Sequence, residues 1–244
     1  MAARAADTRD DRKVGLSVNV AEFADACPEL YHVSELGSWP SIRRHGLLSP
    51  ARLLDVFQAS DEQRSAVLAS RRLRSVPLTH PDGAVATIRD QLPLLPGRLA
   101  NCLTDMSLDE WLSLLNDRVF LWPTHERRDR LLTAKEYAGR AHDVVVIDSA
   151  RLVARHAARI QLSAINSGAT RPFAHSRGSR TFLPLVDFPY ADRRRRVGRG
   201  AAIAEVAVCD AIPDVEELTL RVERREAGRL LKVIWARSPD AAAA

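Results

Sequence analysis

Ala202-Ile203-Ala204-Glu205-Val206-Ala207-Val208 is an apolar, β-prone run that carries a single carboxylate. A charge in such a stretch is costly to bury unless something uses it. Near the other end of the chain, Leu30-Tyr31-His32-Val33-Ser34 reads as a second polar-bearing strand, running into a helical pattern from Pro40 that Gly46 stops. Two such strands, far apart in sequence, can meet in one cleft. Alternation puts Leu30, His32 and Ser34 on one strand face and Tyr31 and Val33 on the other, so with Tyr31 and Val33 turned to the core, His32 and Ser34 share the cleft.

Working outward, residues 50–74 read as helical with Asp61 as an N-cap, Pro77 and Asp82-Gly83 break the chain, and residues 84–89 read as a strand or a buried turn of helix. Ser107-Leu108-Asp109-Glu110 is a capping box opening a helix from Leu108 to Asn116, with Leu108, Trp111, Leu112 and Leu115 on one face. A strand from Arg118 to Trp122 follows, then a helix near residues 127–138 and a β-branched strand from Asp143 to Asp148. Ser149 reads as the cap of a helix from Ala150 to His156. Leu218 to Val222 and Leu230 to Trp235, separated by Ala227-Gly228, read as a closing hairpin. The order implies one α+β domain over residues 21–237, between a loose segment 1–20 and a disordered tail 238–244.

No apolar run approaches the length needed to span a bilayer, and the first residues are charged, so a cytoplasmic protein with no membrane partner is expected. Three cysteines at unrelated spacings argue against a disulfide framework, and His125, His142, His156 and His175 show no metal-ligand spacing, so no metal is expected. Lys plus Arg number 36 against 31 Asp plus Glu, a net charge of +5 carried almost wholly by arginine. Guanidinium binds phosphate bidentately and stacks on bases, which ammonium does not.

From Ser167 to Gly200 the chain is Arg-rich: Arg171, Arg177, Arg180, the run Arg193-Arg194-Arg195-Arg196, and Arg199, interleaved with Phe173, Phe182, Phe188 and Tyr190. That is the composition expected where phosphates are held and unstacked bases packed, and it runs directly into the Glu205 stretch. Arg177, Arg180, Arg193 to Arg196 and Arg199 are therefore the candidate nucleic-acid contacts. A solvated basic loop with its aromatics plugged into the core is the competing reading.

Leu30 to Ser34, with Trp39-Pro40-Ser41-Ile42 and His45-Gly46-Leu47-Leu48, resembles the opening strand and helix of the ADP-ribosyltransferase fold, especially the DarT-like enzymes that modify bases in DNA. Ala204 to Val208, with Ile212-Pro213 and Leu218-Thr219-Leu220, resembles their catalytic-glutamate strand. Val119 to Trp122, Ala134 to Ala138 and Val144 to Asp148 follow the fold's strand, helix, strand order. The resemblance spans about residues 30–222 and implies a split mixed β-sheet core with flanking helices, Glu205 as the catalytic carboxylate, His32 gripping a ribose hydroxyl and Ser34 supporting it. The chain has Ser34 where the family has Thr, and residues 58–118 hold no match to its arginine-containing cofactor loop. A fainter resemblance runs to prokaryotic antiviral DNA glycosylases.

The chemistry these residues suit is cleavage of an N-glycosidic bond, whose oxocarbenium-like transition state is stabilised by fixed negative charge beside the sugar. Glu205 is placed to hydrogen-bond a ribose hydroxyl, stabilise the cation and take a proton from the nucleophile. Tyr31, Ser34, Arg89, Trp122 and Tyr137 are the candidate substrate- or cofactor-binding residues. Three expectations stand together: NAD-dependent ADP-ribosylation of a nucleobase, in a toxin or phage-defence setting with a possible antitoxin; a DNA glycosylase that uses no cofactor; and a basic nucleic-acid-binding module without catalysis. The expected partner is single-stranded DNA or a flipped base.

Overall fold

The structure, a computed structural model, describes residues 21–172 and 174–238; residues 1–20, Phe173 and the tail from Pro239 lie outside it. Its strands in chain order are β1 (Glu29–Glu35), β2 (Leu47–Leu48), β3 (Val76–Thr79), β4 (Val85–Ile88), β5 (Arg118–Leu121), β6 (Ala141–Asp148), β7 (Ile160–Ser163), β8 (Phe182–Pro184), β9 (Glu205–Cys209), β10 (Ala211–Ile212), β11 (Thr219–Glu226) and β12 (Arg229–Ala236). Residues 21–26 are helical, and the helices that follow are α1 (Trp39–His45), α2 (Pro50–Val56), α3 (Asp61–Leu68), α4 (Pro96–Ala100), α5 (Leu108–Asn116), α6 (His125–Leu132), α7 (Ser149–His156), α8 (Tyr190–Val197), α9 (Arg199–Ala202) and α10 (Val215–Leu218).

Two four-stranded antiparallel sheets carry the fold, ordered β1-β6-β11-β12 and β5-β9-β7-β8. In β6 the run Val144-Val145-Val146-Ile147 is fully buried, so this interior strand needs apolar side chains on both faces. One face packs Val145 and Ile147 with Leu30, Val119, Leu121, Ile160, Leu162, Val206 and Val208, so a single core joins the two sheets. The opposite face puts Val144 and Val146 with Tyr31, Val33 and Leu132 of α6. Outside the second sheet, Trp111 and Leu115 of α5 pack on Phe182 and Ala207. A smaller cluster, Leu54, Phe57, Val67, Leu78, Ala86 and Ile88, ties α2 and α3 to the β3-β4 hairpin.

Besides this shared core, backbone hydrogen bonds bridge the sheets. Tyr31 and Trp122 exchange backbone hydrogen bonds of 3.0 and 2.8 Å, fastening β1 to the residue after β5. A second fastening is Gly46, at φ +87°, where an added Cβ would meet Pro213 Cα at 2.8 Å. Only glycine lets α1 end against the chain there and β2 pair with β10.

The molecule is thus α+β, and the β11-β12 hairpin, β6, and α5 with its Ser107–Glu110 capping box stand where the sequence puts them. Local corrections follow from hydrogen bonding. Ser60, not Asp61, caps α3, because its hydroxyl and the Gln63 side chain make the reciprocal box. Asp148, not Ser149, caps α7 by accepting from Arg151 N–H. The Glu205 strand begins at Glu205 itself. The latter part of the Arg-rich stretch is not an open loop: α8 and α9 occupy most of residues 190–202. Among the described residues no helix is long and apolar enough to cross a membrane.

Candidate functional site

Glu205 opens β9, between β5 and β7, and is 4% exposed. It is not a solvent-facing glutamate on an edge. Its Oε2 accepts the Ser167 N–H at 3.1 Å. Burial pushes its carboxyl up to about 7, against the opposing pull of the Ser167 hydrogen bonds and of the Arg177 and Arg127 guanidinium groups. Near neutrality the group therefore exchanges between acid and carboxylate and can give or take a proton.

The loop that holds Glu205 is itself held by Arg177. This buried guanidinium donates to Ser167 O at 2.6 Å, Ala169 O at 3.1 Å and His175 O at 3.0 Å, and lies 5.8 Å from the Trp111 ring. Its donors face backbone carbonyls, so Arg177 is a brace for the site and not the nucleic-acid contact expected from composition.

His32 Nδ1 lies 3.0 Å from the carbonyl of Phe120. A carbonyl only accepts, so the neutral ring carries its proton on Nδ1 and leaves Nε2 as an acceptor. Burial drives the imidazole down to about 4, with Arg89 acting in the same direction, so His32 is neutral across the physiological range. Ser34 donates its hydroxyl to Asp143 O at 2.9 Å, which stiffens the strand behind His32.

Arg89, just after β4, donates to Val33 O at 3.2 Å, lies 3.8 Å from Glu35 Oε1 and sits 5.0 Å from the Tyr137 ring centroid. Its Nε, the atom that faces Glu35, is buried and has no hydrogen-bond partner among the described residues. A cation with an unsatisfied donor on a cleft wall suits an anionic ligand. Behind it the buried Arg72 donates to Arg89 O at 2.9 Å and to Asn116 Oδ1 at 2.7 Å. Tyr137 donates its hydroxyl to Asp90 at 2.6 Å, and burial together with that carboxylate raises its pKa.

His32, Ser34, Arg89, Trp122, Tyr137 and Glu205 all line one cleft of about 270 Å³. Tyr31 does not: it lies on the opposite face of β1, under the Arg128 guanidinium at 4.6 Å, with its hydroxyl on Glu29. Strand alternation put it there, and its place among the binding residues is corrected. Sequence reasoning missed Arg72, Ser167, Asn166 and His45, which also line the cleft. Buried arginines and loop amides that bind backbone groups leave no spacing signature; only the Asn166-Ser167-Gly168 turn composition gave a signal.

The remaining arginines divide. Arg193 is half-buried and donates to Ala202 O at 2.7 Å, so it fastens α8 to α9. Arg180, Arg194, Arg195, Arg196 and Arg199 are exposed. Arg195 pairs with Asp192, and Arg199 donates to Asp25 O. Arg193 also reaches Ala164 O at 3.5 Å, and Ala204 N–H donates to Ser163 O, so the basic helix abuts the chain that enters Glu205.

These features define an α+β protein with a cleft where a buried glutamate, a neutral histidine and an incompletely satisfied arginine converge. The chain belongs to DUF7002, a family of unknown function, whose model matches residues 28–219. The matched span contains every cleft residue named above. Comparison with curated proteins found no match.

Proposed function

We propose that the cleft breaks an N-glycosidic bond, as an NAD-dependent enzyme that transfers ADP-ribose to a nucleobase of DNA or RNA. The observation that carries this reading is that Glu205 and His32, on strands of different sheets, line the same cleft. The residues fit a dinucleotide: the Arg89 guanidinium on the cleft wall suits a phosphate oxygen, and His32 Nε2 suits a ribose hydroxyl. When bound, NAD supplies a ribosyl carbon already joined to a good leaving group. His32 orients the sugar by accepting from its hydroxyl. Glu205, as the carboxylate, stabilises positive charge developing on the sugar and receives the proton of the attacking base nitrogen. The exposed Arg194, Arg195 and Arg196 hold phosphates of the nucleic acid.

One observation favours a second chemistry at the same site. A carboxyl held at about 7 is partly protonated at neutral pH and suits donation to a departing base, as a DNA glycosylase requires. The experiment that separates the two incubates the protein with DNA and RNA oligonucleotides, with and without NAD, and reads mass. Added ADP-ribose only with NAD supports the transferase; loss of a base without NAD supports the glycosylase. No change with any oligonucleotide, or the same change with Glu205→Gln, overturns the reading.

A further inference from the structure

Beside the cleft residue His45, a tight turn joins β3 to β4. Gly83 takes φ +85°, its N–H donates to His80 O at 2.9 Å, and Asp82 Oδ1 accepts the Ala84 N–H at 2.8 Å. The turn presents two side chains together: His80 Nδ1 lies 2.8 Å from Asp82 Oδ1. The third comes from elsewhere in the chain. His45, the last residue of α1, places its Nε2 4.0 Å from Asp82 Oδ2, and one donor atom from each of the three residues lies within 4.8 Å of the others.

Three further observations bear on what this cluster holds. His45 Nε2 is buried with no hydrogen-bond partner among the described residues, an unsatisfied polar atom that a ligand would satisfy. The His45 and His80 rings are 4.9 Å apart, and each packs on Phe57 at 5.3 Å, so an apolar wall fixes their orientation. Asp82 Oδ2 already attracts a cation: the exposed Arg44 lies 2.6 Å away, in an arrangement water can readily replace.

We propose that His45, His80 and Asp82 form a binding site for a divalent transition metal of zinc's class, which ties the β3-β4 turn to the end of α1. Two imidazoles and one carboxylate favour such an ion over magnesium or calcium, which take oxygen ligands. Ligand bonds of about 2.0–2.2 Å require the donors to close together slightly. The turn can supply that movement when Arg44 yields its place. The structural consequence lies in the cleft, because His45 and the β4 residues Ala86, Thr87 and Ile88 line it, with Arg89 next in the chain. Bound metal would fix that wall. No ligand spacing is visible along the chain because α1 and the turn meet only in the folded protein.

The test uses the full chain stripped with a chelator and titrated with cobalt(II), whose visible absorption reports an imidazole–carboxylate site, followed by zinc(II) displacement and thermal unfolding. One equivalent of cobalt per chain, displaced by zinc, with zinc raising the melting temperature, is the expected result. His80→Ala and Asp82→Asn each lower affinity by tenfold or more and abolish the zinc-dependent stabilisation, with circular dichroism unchanged. Both variants alter a surface turn and leave the core intact; Asp82→Asn also keeps the oxygen that accepts from Ala84. No cobalt spectrum, a thiolate spectrum from the cysteines, or equal affinity in both variants overturns the site.

Discussion

Arg89 and Arg177 stand singly in the sequence and lie half-buried or buried in the walls around the cleft, whereas Arg194, Arg195 and Arg196 stand in a row and face solvent. Composition drew attention to the row. Burial shifts it to the single residues, because a guanidinium donating to carbonyls away from water has no substitute when it is removed. On α8, water and salt replace each contact at little cost. One region concentrates its effect in individual groups, and the other spreads a weak effect over several.

Glu205→Gln is the sharpest probe of the first region. It keeps the shape and the oxygen that accepts from Ser167, but removes the charge, so turnover falls about 100-fold or more. His32→Ala costs less, on the order of tenfold, because the ring positions the sugar and carries no charge. If the carboxylate is the working form, wild-type activity rises with pH through about 7. Stability carries a second signature. The folded-state pKa is raised from 4.5 to about 7, so the stability contributed by the neutral acid is complete below 4.5 and lost as pH rises through about 7. The glutamine does not ionise, and at pH ~8 it is the more stable protein by up to about 3 kcal/mol. Denaturant unfolding at pH ~4 and pH ~8 checks the sign; a variant less stable at both would remove the buried-carboxyl argument.

Arg177→Ala comes next. It removes three hydrogen bonds, two of them to Ser167 O and Ala169 O in the loop under Glu205, so unfolding free energy drops by about 3 kcal/mol and activity falls with it. Arg177→Lys does not restore either, because one ammonium cannot reproduce the planar fork that reaches three carbonyls. Stability within about 0.5 kcal/mol of wild type would return Arg177 to the same class as the α8 arginines.

What the sequence made legible follows the same division. Period-two alternation placed His32 opposite Tyr31, the β-branched run marked β6, reciprocal Ser107 and Glu110 marked α5, and Ala227-Gly228, both at positive φ, marked the last hairpin. Each is a local rule acting over a few residues. The strands missed are short, and two contain proline: Pro77 in β3 reads as a breaker, and Pro184 in β8 is tolerated because β8 lies at a sheet edge. In the site, Glu205 stood out as a charge in apolar sequence. The bracing roles of Arg177 and Arg72 and the meeting of His45 with the β3-β4 turn did not, because their partners are backbone groups or side chains brought together only by tertiary packing.

The weakest effect belongs to α8, and its weakness is informative. Arg193 braces α9, so it is left in place and Arg194, Arg195 and Arg196 are changed together to Ser. These residues are exposed and, among the described residues, the only ion pair lost is Arg195 with Asp192, so the melting temperature stays near that of wild type. If each guanidinium meets a phosphate, the slope of log affinity against log salt shrinks by roughly 0.7–0.9 per contact removed, and affinity at low salt falls several-fold. Turnover at saturating nucleic acid is unchanged, since none of the three lines the cleft. An unaltered salt slope would make α8 a solvated face and leave binding to the cleft alone. A fall in turnover at saturation would instead couple α8 to Glu205 through the Ala202–Ala204 chain that Arg193 fastens, joining the two regions that burial separates.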